Sequence, residues 1–398
     1  MTVTVTRPLG SKGLKPLVTT AGSATLTQPI RAAVPPLVRS GLIFGAIGLG
    51  LGLGLGAQPL AAAPSNPLTP LQRLQTTRAC VECDLSGVDL SGLDLRGVDL
   101  QRATLTAAVL NGANLRGARL DGIAGQEAQF RDADLSGATL TEARMRGAKF
   151  QRANLTEAVL DKARLREANF RGATLTRASL VQSLLVASRL KEANLQGADL
   201  RFAQLDGADL SDAQLRSSKL VRSSLTGATL LGANLVMANF EGANLSQAKL
   251  GGADGFQANF ANALLLGAGL RQTNLEEANL SSVKAVGARF LETNLRSAIA
   301  TGADFTQADF SKANLQRAGL SLAVFRQARL IGTNLQQAKM GGAVMQGAVL
   351  TDARLDRAYL AQADLRSIVT RNTNFTGATL DGAVTRGADL SGAIGWVQ

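Results

Sequence analysis

From Leu85 to Gly395 a five-residue phrase repeats without the gain or loss of a single residue, and Ala-Asn-Leu-Arg-Gly (113–117) and Ala-Asp-Leu-Ser-Gly (133–137) are plain copies. With the large apolar residue called i, it falls at every number divisible by five. Leu, Phe or Met fills 56 of these 63 positions, the exceptions being Gly125, Gly255, Ala285, Ala300, Thr370, Thr385 and Gly395. At i−2, Ala occupies 48 of 63. A period of five fits neither a helix stripe nor a strand alternation. It fits a chain that turns a corner every five residues, with i−2 and i directed to a common axis and i−1, i+1 and i+2 directed to water. Unbroken register implies that the geometry tolerates no slip.

The number of pentads per coil is also written in the chain. Phenylalanines recur at intervals of twenty, as in Phe130, Phe150 and Phe170, or Phe240 and Phe260. At i−1, the column taken every twenty residues from Asp94 to Ile394 holds Asn or Asp at 12 of 16 places, against 14 of 47 in the other three columns. Such bias requires like residues to stack, so one coil is a square of four pentads. About sixteen coils follow, and at the roughly 4.8 Å spacing of stacked strands the rod would be about 75 Å long.

Ala-(Asp/Asn)-Leu-x-x in unbroken tandem resembles the pentapeptide-repeat family, over residues 84–395. The resemblance implies an all-β solenoid, a right-handed quadrilateral β-helix. It is specific for fold and nearly silent on function, because a solenoid is a surface onto which sites are grafted.

The remainder divides simply. Residues 1–63 carry five cations and no acid, which leaves +7 of the total +12 for the rest of the chain. Residues 1–38 lack periodicity and read as disordered. Arg39, the apolar Gly41–Ala57 run and Leu60-Ala-Ala-Ala63 form a basic flank, an apolar stretch and a small-residue exit, the parts of an export signal with no membrane span left in the mature form. An uncleaved anchor through residues 41–57 is the alternative. Residues 64–83 hold a linker, a short capping helix with Thr69 as N-cap and Pro70 in its first position, and Cys80-Val-Glu-Cys83. Leu68, Leu71 and Leu74 would lay that helix over the first coil and cover an edge that otherwise invites aggregation. At the far end, residues 396–398 form a tail. Either Ile394, Trp396 and Val397 fold over the last coil as a plug, or two open ends stack and make a homodimer through the C-terminal coil.

The chemistry is sparse. The chain contains no His, so His-based metal binding and haem attachment through Cys-x-x-Cys-His are excluded. Two thiols are an incomplete zinc site. In an oxidising compartment, Cys80 and Cys83 read as a local disulfide stapling lid to coil. The lid and Cys-x-x-Cys opening resembles exported, cyanobacterial-type members of the family, which implies a periplasmic or thylakoid-lumen location. No nucleophile–base constellation and no phosphate-binding loop is present, and a convex rod lacks the pocket that would tune a carboxylate pair. The expectation is a protein without catalysis or cofactor.

Stacking converts spacing into surface. Arg144 and Arg146 lie one rung from Arg164 and Arg166, with Leu184 and Val186 next on the same face; Leu264, Leu266 and Val286 lie farther along. Charge and apolar surface converge at the first of these, the candidate docking face for an anionic partner, most simply a protein, or for a glycan or a lipid headgroup. Alternatively, Glu127, Glu142, Glu157 and Glu167 neutralise the arginines at nearby corners. The family's quinolone-resistance members imply a second class, mimicry of DNA to occupy gyrase, but mimicry needs a negative surface and the cytosol. Direct nucleic-acid binding is disfavoured by scattered basic residues without interleaved aromatics.

Overall fold

The structure, a computed structural model, describes residues 68–396. The leader and apolar run therefore lie outside the described residues, as does Val397. Within them the repeat region is a β-helix whose coil is twenty residues, since an unbroken ladder of parallel bridges, from Ala79↔Asp99 to Asn374↔Ile394, joins residues twenty apart. The ladder starts at Ala79 and not at the expected Asp84. The reason is that Cys80 takes an i position and Cys83 the i−2 position of the next pentad, both buried, so the two cysteines belong to successive pentads of the core.

Backbone hydrogen bonding explains why the period is five. The N–H of i donates to the carbonyl of i−1 in the next coil (Leu85 to Thr104, 2.8 Å), and the N–H of i−1 donates back to the previous coil (Thr104 to Cys83, 2.8 Å). The N–H of i+2 reaches the next coil as well (Gly87 to Thr106, 2.9 Å), and that of the following i−2 closes the corner (Val88 to Leu85, 3.2 Å). Four donors in five are thus spent within the backbone. Each corner holds its i+2 residue in the left-handed region, as a type II turn requires: Gly87 at φ 66°, but also Phe202 at 61° and Leu322 at 60°. Glycine adopts that region at no steric cost, whereas other residues hold it because the flanking ladders leave no alternative.

The remaining donor, the N–H of i+1, explains the Asn/Asp column. At many corners it is accepted by the side chain two residues earlier, as in Ser136 N–H to Asp134 Oδ1 (3.0 Å) or Thr156 N–H to Asn154 Oδ1 (3.1 Å). Elsewhere an acid at i+1 of the coil below serves, as Asp121 does for Thr141 and Asp161 for Val181. The column amides also bond each other along the axis, Asn294 to Asn274 at 3.1 Å and Asn334 to Asn314 at 3.2 Å. An unsatisfied amide here would cost about 1–3 kcal/mol, so the composition of this column is set by hydrogen bonding.

Inside, Leu at i and Ala at i−2 are fully buried along most of the ladder. Phe130, Phe150 and Phe170 stack at 5.0 and 4.8 Å, the spacing of the coils themselves. Where i is small the neighbour fills in: Met145 leans over Gly125 and Leu275 over Gly255. Buried Thr373 donates to the Leu350 carbonyl, and Thr370 to that of Asp389, so these polar substitutions are satisfied.

The two ends differ. Helix α1 (Pro70–Thr77) starts with a reciprocal capping box between Thr69 and Gln72 and Pro70 in its first turn. Leu74 is buried and Leu71 packs on the first coil, whereas Leu68 precedes the N-cap and is exposed, so it takes no part in the covering face. A disulfide joins Cys80 to Cys83. A crevice of about 160 Å³ remains between Leu74, Leu93, Leu95 and Val98. At the last coil Leu390 and Ala393 are only half-buried. Trp396 packs edge-on against Phe375, with ring centroids 4.8 Å apart. Ile394 points to solvent and does not join the plug, because its i−1 position faces outward like every other.

Candidate docking face

The ladder pairs Ala124 with Arg144, Arg144 with Arg164, and Arg164 with Leu184, so the expected face exists as a column at one-rung spacing. Arg144, Arg146, Arg164 and Arg166 are exposed, while Leu184 and Val186 are half-buried and lie flush with the surface. Of the four carboxylates that could neutralise the arginines, only Glu167 does so, at 2.9 Å from Arg146. Glu127 turns to Lys149, Glu142 to Lys162 and Glu157 to Arg177. Among the described residues no carboxylate lies within ion-pairing reach of Arg144, Arg164 or Arg166. Like charges one rung apart without counter-charge are unfavourable in a sheet. Leu264, Leu266 and Val286 also share this side of the rod farther along, with Leu266 the most exposed.

Inspection of one column at a time missed what lies around the corner. There a shallow groove of about 610 Å³ is lined by Arg131, Lys149 and Arg189 together with Glu127 and Glu167. Arg131 and Arg189 also lack an ion-pair partner among the described residues. The signal was present, since Lys149 and Arg189 are forty residues apart and so two rungs apart. A second omission is a pair of exposed apolar side chains, Leu322 and Tyr359, in which the Tyr359 ring lies over Gly341 and Leu322 over Gly342. Leu322 is an i+2 residue, and its exposure follows from its corner position.

The acidic start is occupied with its own turns. Asp84 and Asp89 have lowered pKa values because Ser86 and Ser91 bond their carboxylates. The Arg96 side chain, then its N–H, holds Asp94 at about 2. Among the described residues no group of Cys, Asp and Glu could hold a metal ion, and no helix is long and apolar enough to cross a membrane.

The model for pentapeptide repeats matches the chain in successive segments, several of them overlapping, between residues 83 and 394. Solved structures with similarity include HetL, a pentapeptide repeat protein involved in heterocyst differentiation regulation from the cyanobacterium Nostoc sp. strain PCC 7120. It is 34% identical, with 58% of this chain and 88% of that chain covered and a TM-score of 0.29. QnrB1 (R167E, trypsin-treated), a plasmid-mediated fluoroquinolone resistance protein, is 24% identical over 46% of this chain and 88% of its own, with a TM-score of 0.27. A pentapeptide repeat protein from the thylakoid lumen of Arabidopsis thaliana is 23% identical over 32% of this chain and 67% of its own, with a TM-score of 0.13. No curated protein sequence matches the chain significantly.

Proposed function

The chain belongs to the pentapeptide-repeat family, and from that premise we propose that it is a non-enzymatic interaction protein, a rigid right-handed quadrilateral β-helix that holds a partner on one outward face. The finer reading is a rod of about sixteen coils, capped by α1, exported to a periplasm or thylakoid lumen, or anchored through residues 41–57. One observation carries the docking role. Arg144, Arg164 and Arg166 stand without carboxylate partners beside flush Leu184 and Val186, although ion pairs are formed on most neighbouring coils. A charge cluster kept unneutralised costs stability, and an anionic partner would offset that cost.

Reversal of Arg146 and Arg166 to Glu is the test. Both are exposed, so folding should be retained while capture of the native partner, assayed by proximity labelling in its compartment, is lost. Unchanged capture would move the search to Leu264, Leu266 and Val286. The DNA-mimic alternative would need a negative surface, and the unpaired guanidiniums argue against it. A supercoiling assay should find no protection of gyrase from a quinolone; protection at stoichiometric protein would overturn the docking reading. The half-covered last coil supports a further reading, a homodimer stacked end to end, which a charged substitution at Trp396 should abolish. For export, mass spectrometry should find a mature N-terminus near residues 62–65.

A further inference from the structure

Coils 124–191 have two electrostatically different sides. On the other two faces and the corners that bound them the acids are consumed internally: Asp121 accepts from Thr139 and Thr141, Asp161 from Ser179 and Val181, and Glu142 and Glu157 pair with Lys162 and Arg177. On the two adjoining faces that meet at the corner of Glu127, Gly147 and Glu167, the carboxylates are also spent, on Lys149, Arg146 and Arg152. What remains after pairing is of one sign. Arg131, Arg144, Arg164, Arg166 and Arg189 form no ion pair among the described residues, although Arg131 acts at longer range on Asp132, and they fall within about four rungs, roughly 15–20 Å along the rod. That is no more than about two screening lengths at 0.1 M salt, so their fields combine.

We propose that this side of the rod lies on an anionic lipid bilayer; the inference rests on the docking-face reading and names the partner of that face. Charge complementarity requires an anionic surface. Shape favours a bilayer over a folded protein. The strongest protein interfaces seat protruding anchors in pockets, but Leu184 and Val186 are flush and half-buried, and the groove beside them is shallow and open. A rigid row of guanidiniums at strand spacing suits headgroups that can migrate to meet it. Arginine also chelates phosphate oxygens in a bidentate way that lysine cannot.

The test is co-sedimentation of the full chain with phosphatidylcholine vesicles, with and without one third phosphatidylglycerol. The Gly41–Ala57 run contributes to both kinds of vesicle, so the readout is the ratio of affinities, anionic over neutral. That ratio should exceed tenfold at low salt and approach one at 1 M salt, where the screening length is about 3 Å. Arg164→Gln should lower it about fivefold, the worth of one cation near such a surface. The triple variant Arg144→Glu, Arg164→Glu, Arg166→Glu should lower it far more than Arg164→Gln does, to what the five leader cations contribute alone, with an unchanged circular dichroism spectrum. Arg216→Glu with Arg357→Glu, exposed on another face, should leave it intact. Equal affinity for both vesicles, or equal loss in that control, would overturn the proposal. If anionic vesicles are not preferred but poly-L-glutamate is retained by the wild type and released by the triple variant, the lipid inference fails and the docking face stands. If neither is bound, the docking-face reading fails with it.

Discussion

The hydrogen-bond economy of the corner can be tested by a double-mutant cycle at Asn259 and Ala261. Asn259 Oδ1 accepts the Ala261 N–H at 3.0 Å and the Asn279 amide at 3.1 Å, while its own amide donates to Asn239 at 3.2 Å. Asn259→Ala removes two ladder bonds worth about 0.5–1.5 kcal/mol each and orphans a half-buried N–H at a further cost of about 1–3 kcal/mol. The total should be about 2–4 kcal/mol after relaxation toward water. Ala261→Pro removes the donor itself. Residue 261 is the second residue of a corner whose third, Asn262, is at φ 59°, the type II pattern in which proline is favoured. Alone, this change loses one hydrogen bond and reduces unfolded-chain entropy by about 0.4–1 kcal/mol, so it should be nearly neutral. In the double variant no donor is left to orphan, and the Asn259→Ala cost should shrink by about 1–2 kcal/mol. Native-state hydrogen exchange across residues 239–279 reads this locally. Strict additivity of the two changes would refute the account, because Asn at i−1 would then owe its stabilising effect to something other than the i+1 donor.

Interior Leu195→Ala should cost about 2–5 kcal/mol in denaturant unfolding, against under about 0.5 kcal/mol for its exposed neighbour Gln196→Ala; equal effects would invalidate the inside–outside assignment. Thiol labelling of unreduced protein should leave Cys80 and Cys83 unmodified, and ready alkylation of both would refute the disulfide. The acid response follows from depressed carboxylates. Glu276 and Asp364 are lowered first by side-chain bonds from Arg296 and Arg366, and Asp94 is held at about 2. Stabilisation from such groups is complete above their unfolded values near 4 and lost as pH falls through their folded values. A titration from pH 5 to pH 2 should therefore show falling stability at low salt, and a flat profile would contradict it.

The periodicity of Leu and Ala made the coil, its four sides and its interior legible, because a core one side chain wide admits few solutions and each pentad restates the same one. What it concealed were matters of direction. Leu68 has helical spacing with Leu71 and Leu74 but precedes the cap that starts the helix. Cys80 and Cys83 looked like a preface and are part of the core, since a disulfide can fill the i and i−2 positions that Leu and Ala fill elsewhere. The arginine column was visible at interval twenty. Its extension to Arg131 and Arg189 was not, because it crosses a corner, and only the structure indicates which carboxylates turn away from it. Glu127, Glu142 and Glu157 are near Arg144 and Arg164 in the chain and bond elsewhere.

The ladder from Ala79 to Ile394 also has a mechanical meaning. Each coil is held by parallel bridges to the coil before and the coil after, and by nothing more distant. A pull on the Trp396 end therefore loads one rung at a time, and the last coil, with its interior half open, should yield first. Each rupture frees twenty residues, whose extended length of about 66–72 Å, less the rung they occupied, gives a step of roughly 65 Å. Held in optical tweezers, the molecule should lengthen as a regular staircase, a zip fastener that opens from one end in equal increments.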